Sequence, residues 1–286
     1  MNTITTFIET PISVTAKTDT MTGNIEAKSP PVARLVKYVL YDILQNRILL
    51  AYTAFLLIVS LGMFQLNDDP SKALISLLNI VLIVTPLVGL IFSTIYYYNA
   101  YEFIELLASQ PVKRTSLLWS EFIGLTTALS LAVIIGIGIP VLCYTPGATG
   151  ITFLCTAIAL SAVFAALALL GSVITRDKAK GIGLALLLWF FLSLLYDAFV
   201  LLILFSFADY PLEKAMLVLI GLNPIDLSRV LVLLQLDISA LMGLTGAVFK
   251  EWLGTSWGIV SAGMLLILWI IVPLWLALKI FKRKDL

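Results

Sequence analysis

Six apolar stretches, each close to the length an α-helix needs to cross a bilayer, constrain this chain more than anything else in it. They run over 48–66, 73–98, 122–144, 150–175, 181–207 and 257–279. About 20 residues cover the ~30 Å of hydrocarbon in a membrane. Helices satisfy their own backbone hydrogen bonds, which lipid cannot do. A β-barrel would need short segments alternating between apolar and polar, and these runs are continuously apolar. The fold class is therefore an all-α polytopic membrane protein with six transmembrane helices. Only 12% of residues are charged, against about 25% in a soluble domain.

The loops set the orientation. One side carries Lys17, Lys28, Arg34, Lys37 and Arg47, then Lys113 and Arg114, then Arg176, Lys178 and Lys180, then Lys279, Lys282, Arg283 and Lys284. The other carries Lys72, Lys214, Arg229 and Lys250. The basic side should be cytoplasmic, with both termini there. A net charge of +1 lacks the basic face that nucleic acid demands.

Residues 1–30 are polar and threonine-rich, with no apolar core. They read as a disordered cytoplasmic tail and not as a signal peptide. The remainder, 31–286, reads as one transmembrane domain. Val32, Leu35, Val36, Val39, Leu40, Ile43 and Leu44 follow helical spacing, with Arg34, Lys37 and Asp42 elsewhere. This amphipathic helix should lie in the inner interface with its apolar face toward lipid. Its minimum role is an anchor; a sharper one is an elbow that moves with the first span.

The loop after the second span has the composition of a docking element. Asn99 can cap a short helix, with Glu102 as its capping-box partner and Pro111 beyond its end. Phe103, Leu106 and Leu107 set apolar knobs beside Glu102 and Glu105, in a helix that includes Tyr101 and runs to Gln110. Such a mixed surface suits a groove in another protein. The alternative is a connector packed on its own bundle. The next inner loop, 176–180, is too short for a domain and serves as a surface anchor or a second partner contact.

Residues 208–256 form the longest external segment and read as two or three short helices on the outer surface. Asn223 and Pro224 mark a helix start, with Asp226 in its first turn and Arg229 paired to it at i, i+3. These helices either cap the bundle or seat an external partner, in which case Asn223, Asp226 and Arg229 offer the surface.

Asp197 stands out within the spans. It lies about 15 Å from the outer end of the fifth, at ~1.5 Å per residue. A carboxylate there costs at least ~2.5 kcal/mol. It should face other helices, a wet cavity or its own duplicate in a dimer. Asn79, at comparable depth in the second span, is a candidate hydrogen-bond partner. Asp197 is either a substrate- or cation-sensing group or a packing residue. Glu121 is expected in the interface beside Lys113 or Arg114.

No catalytic residue is expected. The chain has no phosphate-binding loop, no nucleophile elbow and no histidine. No metal ligands are expected either. Cys143 and Cys155, its two cysteines, read as buried thiols before a disulfide or a metal pair.

Several runs together resemble the ABC-2 type permeases, and more narrowly the NosY-type permeases of nitrous-oxide-reductase maturation. They are Glu-Leu-Leu-Ala-Ser-Gln-Pro-Val-Lys-Arg at 105–114, Gly-Leu-Ala-Leu-Leu-Leu-Trp-Phe-Phe-Leu-Ser-Leu-Leu-Tyr-Asp at 183–197, and Leu-Asn-Pro-Ile-Asp at 222–226 with Arg229. Phe-Lys-Arg-Lys-Asp-Leu at 281–286 fits as well. The resemblance spans about 31–286. It departs at Phe103 and Ile104, where many such permeases carry an acidic residue followed by Gly-Thr.

The resemblance implies a permease that dimerises in a bacterial or archaeal inner membrane. Its partner would be a separate cytoplasmic ATPase that binds ATP and Mg, with no cofactor in this chain. The helix at 99–110 would then be the coupling helix. It implies also an external β-helical partner of the NosD type and a role in assembling the copper site of nitrous oxide reductase. The alternative class is a secondary carrier coupled to protons or cations through Asp197, for which repeated broken spans would be expected.

Overall fold

A computed structural model describes residues 32–101, 114–175, 177–207, 213–236 and 243–283. Among the described residues there is no strand. The helices are α1 (Val32–Leu44), α2 (Arg47–Leu66), α3 (Pro70–Asn99), α4 (Arg114–Val133), α5 (Ile139–Tyr144), α6 (Ala148–Ile174), α7 (Lys178–Phe190), α8 (Tyr196–Ser206), α9 (Glu213–Gly221), α10 (Pro224–Leu236) and α11 (Gly243–Arg283). A π-helical turn, Ile134–Gly138, joins α4 to α5, and a second, Phe191–Leu195, joins α7 to α8. Among the described residues six stretches are long and apolar enough to cross a membrane: Arg47–Leu66, Pro70–Asn99, Thr115–Tyr144, Ala148–Ile174, Lys178–Ser206 and Trp257–Lys282. The expected six-span, all-α membrane architecture is the observed one. The side that holds residues 102–113 is called inner below, after its basic loops.

Short polar residues start the spans. Asn46 Oδ1 accepts from Ile48 N, Asp69 Oδ1 from Ser71 N ahead of α3, and Asp177 Oδ1 from Ala179 N. Each fills one of the amide donors that a helix start leaves without a partner.

Span four is the centre of the bundle. Of its apolar window 67% is buried, against 17% for span five and 22% for span six. Its run of Ala162, Ala165, Ala166 and Ala168 is almost fully buried. Small side chains let α3, α10 and α11 pack closely on α6, which is how helices associate in lipid.

Helix α1 is less lipid-facing than its pattern suggested. Val39 and Ile43 are buried, and α1 packs on α4. Tyr96 Oη donates to Asp42 Oδ2 at 3.1 Å, tying α1 to the end of α3. Glu121 is 3% exposed beneath this contact and Oε2 has no hydrogen bond. It is covered rather than open to the interface, because α1 packs over the start of span three. Cys143 and Cys155 are free and exposed rather than buried.

Both π turns are joints. A π turn widens the helix and shifts its carbonyls out of the α-helical ladder. In span three Ser60 Oγ donates to Gly136 O at 2.7 Å. That approach needs glycine: a Cβ at Gly136 would lie 2.6 Å from Leu56 Cβ and 3.0 Å from Thr53 O. Gly136→Val is expected to lower stability by about 2 kcal/mol through overpacking, read as a drop in melting temperature in detergent. Gly62→Ala, where nothing lies within 4 Å, should leave it unchanged.

The segment after span five departs most from expectation. Helices α9 and α10 form a hairpin, and residues 243–256 are continuous with span six in one 41-residue helix. The hairpin does not lie on the outer surface. Its tip is held at Leu192, half-way along span five.

Candidate functional site

The hairpin tip is a point where polar groups from three elements meet inside the bundle. Helix α9 ends there, so its last carbonyls need donors. Tyr196 Oη donates to Leu219 O at 2.5 Å, and Trp269 Nε1 to Gly221 O at 3.0 Å. These two side chains bring span five and span six onto the same helix end.

Asn223 performs three tasks. Its Oδ1 accepts from Ile225 N at 3.0 Å, which caps α10 with Pro224 in the first helical position. Its Nδ2 donates to Leu192 O at 3.0 Å and to Asp226 Oδ2 at 3.1 Å. Leu192 belongs to the π turn of span five, so this carbonyl, like that of Gly136, is taken by a side chain from another element. The helix start read from Asn223 and Pro224 is found; the surface role expected of Asn223 is not available to a fully buried side chain.

Three charges sit one turn further along. Arg229 Nη1 lies 3.0 Å from Asp226 Oδ1, the expected i, i+3 pair. The same nitrogen lies 3.4 Å from Asp197 Oδ2, and Nη2 lies 3.5 Å from it. Asp226 is 14% exposed, Arg229 36% and Asp197 40%. Two carboxylates thus converge on one guanidinium within the membrane-embedded body. Asp197 takes Arg229 as its partner, not Asn79, which is exposed on span two. Asp226 and Arg229 point to span five and not outward as a partner surface.

A second polar cluster marks the inner ends of spans two, four and five. Lys178 Nζ donates to Asn99 Oδ1 at 2.8 Å. Tyr98 Oη bonds Thr175 and lies over Gly181, where a Cβ would strike its ring. Asn99 is the last residue of α3 and its side chain accepts from Lys178; the helix it was expected to cap lies outside the described residues. Tyr101 packs edge-on against Tyr97. Glu102, Phe103, Glu105, Leu106 and Gln110 lie outside the described residues, and so does Lys113.

Sequence reasoning missed Lys178, Tyr196 and Leu192 in these clusters. A tyrosine hydroxyl inside an apolar run must find an acceptor, which was a readable signal for Tyr196. A backbone carbonyl freed by a π turn has no sequence signature.

A family model described as "ABC-2 family transporter protein" matches residues 39–286. The chain is 29% identical over 279 residues to the "Probable ABC transporter permease protein NosY" of Pseudomonas aeruginosa, covering 90% of this chain and 100% of that one. It is 29% identical over 269 residues to the protein of the same description from Stutzerimonas stutzeri, covering 86% and 95%.

Proposed function

Because the chain belongs to the ABC-2 family of transporter proteins, we propose that it is a permease subunit driven by a separate cytoplasmic ATPase and working as a pair of copies in the inner membrane. We propose further that it serves the maturation of the copper site of nitrous oxide reductase, with an external β-helical protein of the NosD type as a partner. The observation that carries this reading is the likeness to two NosY permeases across about nine-tenths of the chain.

The inner cluster supports a coupling role for the segment at 102–113. Span two leads directly into it, and Lys178 braces that end to the start of span five. A push on the segment from a closing ATPase would reach spans two and five together. Span five in turn holds the hairpin through Leu192 and Tyr196. ATP and Mg would be bound by the ATPase and not by this chain.

The carrier reading has less support. A coupling carboxylate must be able to load and release its ion, and Asp197 is engaged by Arg229.

Co-purification tests the proposal. A tagged chain extracted in mild detergent is expected to retain an ATPase, and Glu102→Arg/Glu105→Arg to lose it at least tenfold. Reversing two charges at a docking surface costs several kcal/mol, roughly 2–5. An external β-helical protein in the same sample would support the maturation role. Absence of any ATPase from the wild-type sample overturns the reading.

A further inference from the structure

We propose that Asp197 and Arg229 are shared across a two-fold axis, each chain's Asp197 accepting from the other copy's Arg229. This rests on the paired-permease reading above and names the surface where the pair meets.

The first ground is exposure at depth. Asp197 lies in a membrane span, nine residues and about 14 Å from the end of α8. Its side chain is 40% exposed and that of Arg229 36%. Charge open to hydrocarbon is strongly disfavoured, so a polar surface must cover both groups.

The second ground is incomplete bonding. Charge-assisted N–H···O bonds run about 2.7–2.9 Å. Arg229 meets Asp226 at 3.0 Å but Asp197 only at 3.4 and 3.5 Å. Both long contacts fall on Oδ2. Asp197 Oδ1 accepts from no N–H and Arg229 Nε donates to no acceptor among the described residues, while the Asp226 carboxyl lies within hydrogen-bonding reach of Asp197. One patch therefore holds a spare acceptor beside a spare donor. A patch of that kind is complementary to itself, which is what a two-fold contact requires.

The third ground is the surroundings. Leu194 and Leu201 flank Asp197 one turn away on either side and are 50% and 53% exposed. Span five buries the least of the six spans. A second copy laid on this face would cover the charges and the leucines at once, whereas lipid would cover only the leucines.

A mixed-copy experiment separates bonds within a chain from bonds between chains. In a Cys143→Ser/Cys155→Ser background, Leu201→Cys reports the contact as an oxidised dimer on a non-reducing gel of membranes. Strong cross-linking is expected there, and little at Met264→Cys, an exposed site on span six. Adding Asp197→Arg or Arg229→Asp should lower the cross-linked fraction at least fivefold in each case. Co-expressed, the two charge variants oppose arginine with aspartate only between copies, and should cross-link to near the parent level. Failure of the mixture to recover overturns the proposal. If either variant fails to accumulate, the charge-intact Leu201→Cys protein decides: no cross-linked dimer overturns it. ATPase retention scored on the same membranes keeps the two readings apart. Retention without mixed recovery removes only this inference, and recovery without an ATPase removes only the transporter reading.

Discussion

Replacing Arg229 with methionine is expected to destabilise the chain by about 2–3 kcal/mol. Methionine keeps the length and apolar stem of arginine, so packing is nearly unchanged. What is lost is the only cation within reach of Asp197 and Asp226 among the described residues. Breaking a fully buried pair costs about 3–5 kcal/mol; the partial exposure of Arg229 and Asp197 lowers that figure. The readout is the melting temperature of the purified protein in detergent. Charge, not shape, is the stated cause, and a compensating variant tests this. Arg229→Met/Asp197→Asn/Asp226→Asn removes every unpaired charge and should recover most of the loss. If the triple variant is as unstable as the single, the guanidinium acts through packing and the electrostatic account is wrong.

Hydropathy reveals the six spans because lipid leaves the backbone no alternative to helices. It is blind to depth in a segment that enters the membrane without crossing it. Helix α10 illustrates this. The sequence shows its start at Asn223–Pro224 and its Asp226–Arg229 pair, and both are found. Its 13 residues are too few to span, so the segment reads as an external connection. Yet Ile225, Leu227, Val230, Leu231, Val232, Leu233 and Leu234 are all buried. They occur on every side of the helix, and a helix apolar all round belongs in an interior. That signal was available, and it would have sent Arg229 inward to Asp197. Asn79 matches Asp197 in depth along two spans, but depth says nothing of facing. The π turns left no trace in the sequence, and with them went the partners of Gly136 and Leu192. Where side chains meet carbonyls in widened turns, only coordinates reveal the pairing.

The hairpin's hold on span five yields the second large effect, and here two general rules disagree. As a helix N-cap, asparagine is replaced by aspartate with almost no loss, and by alanine at a cost of about 1 kcal/mol. At Asn223 the cap is only one of three bonds. Nδ2 donates to Leu192 O and to Asp226 Oδ2, and aspartate has no N–H to offer either. Asn223→Asp would turn a fully buried side chain into a second carboxylate facing Asp226 and a carbonyl. Each buried polar group left without its partner costs about 1–3 kcal/mol. Asn223→Asp is therefore expected to be at least as damaging as Asn223→Ala, with either variant losing about 3 kcal/mol in the same melting assay. Loss of the Leu192 contact also frees the hairpin tip from span five, so coupled activity should fall further than stability alone accounts for. An Asn223→Asp protein that melts like wild type would mean that capping is the residue's whole role. The tie between the hairpin and the π turn would then carry no weight in how motion passes through the bundle.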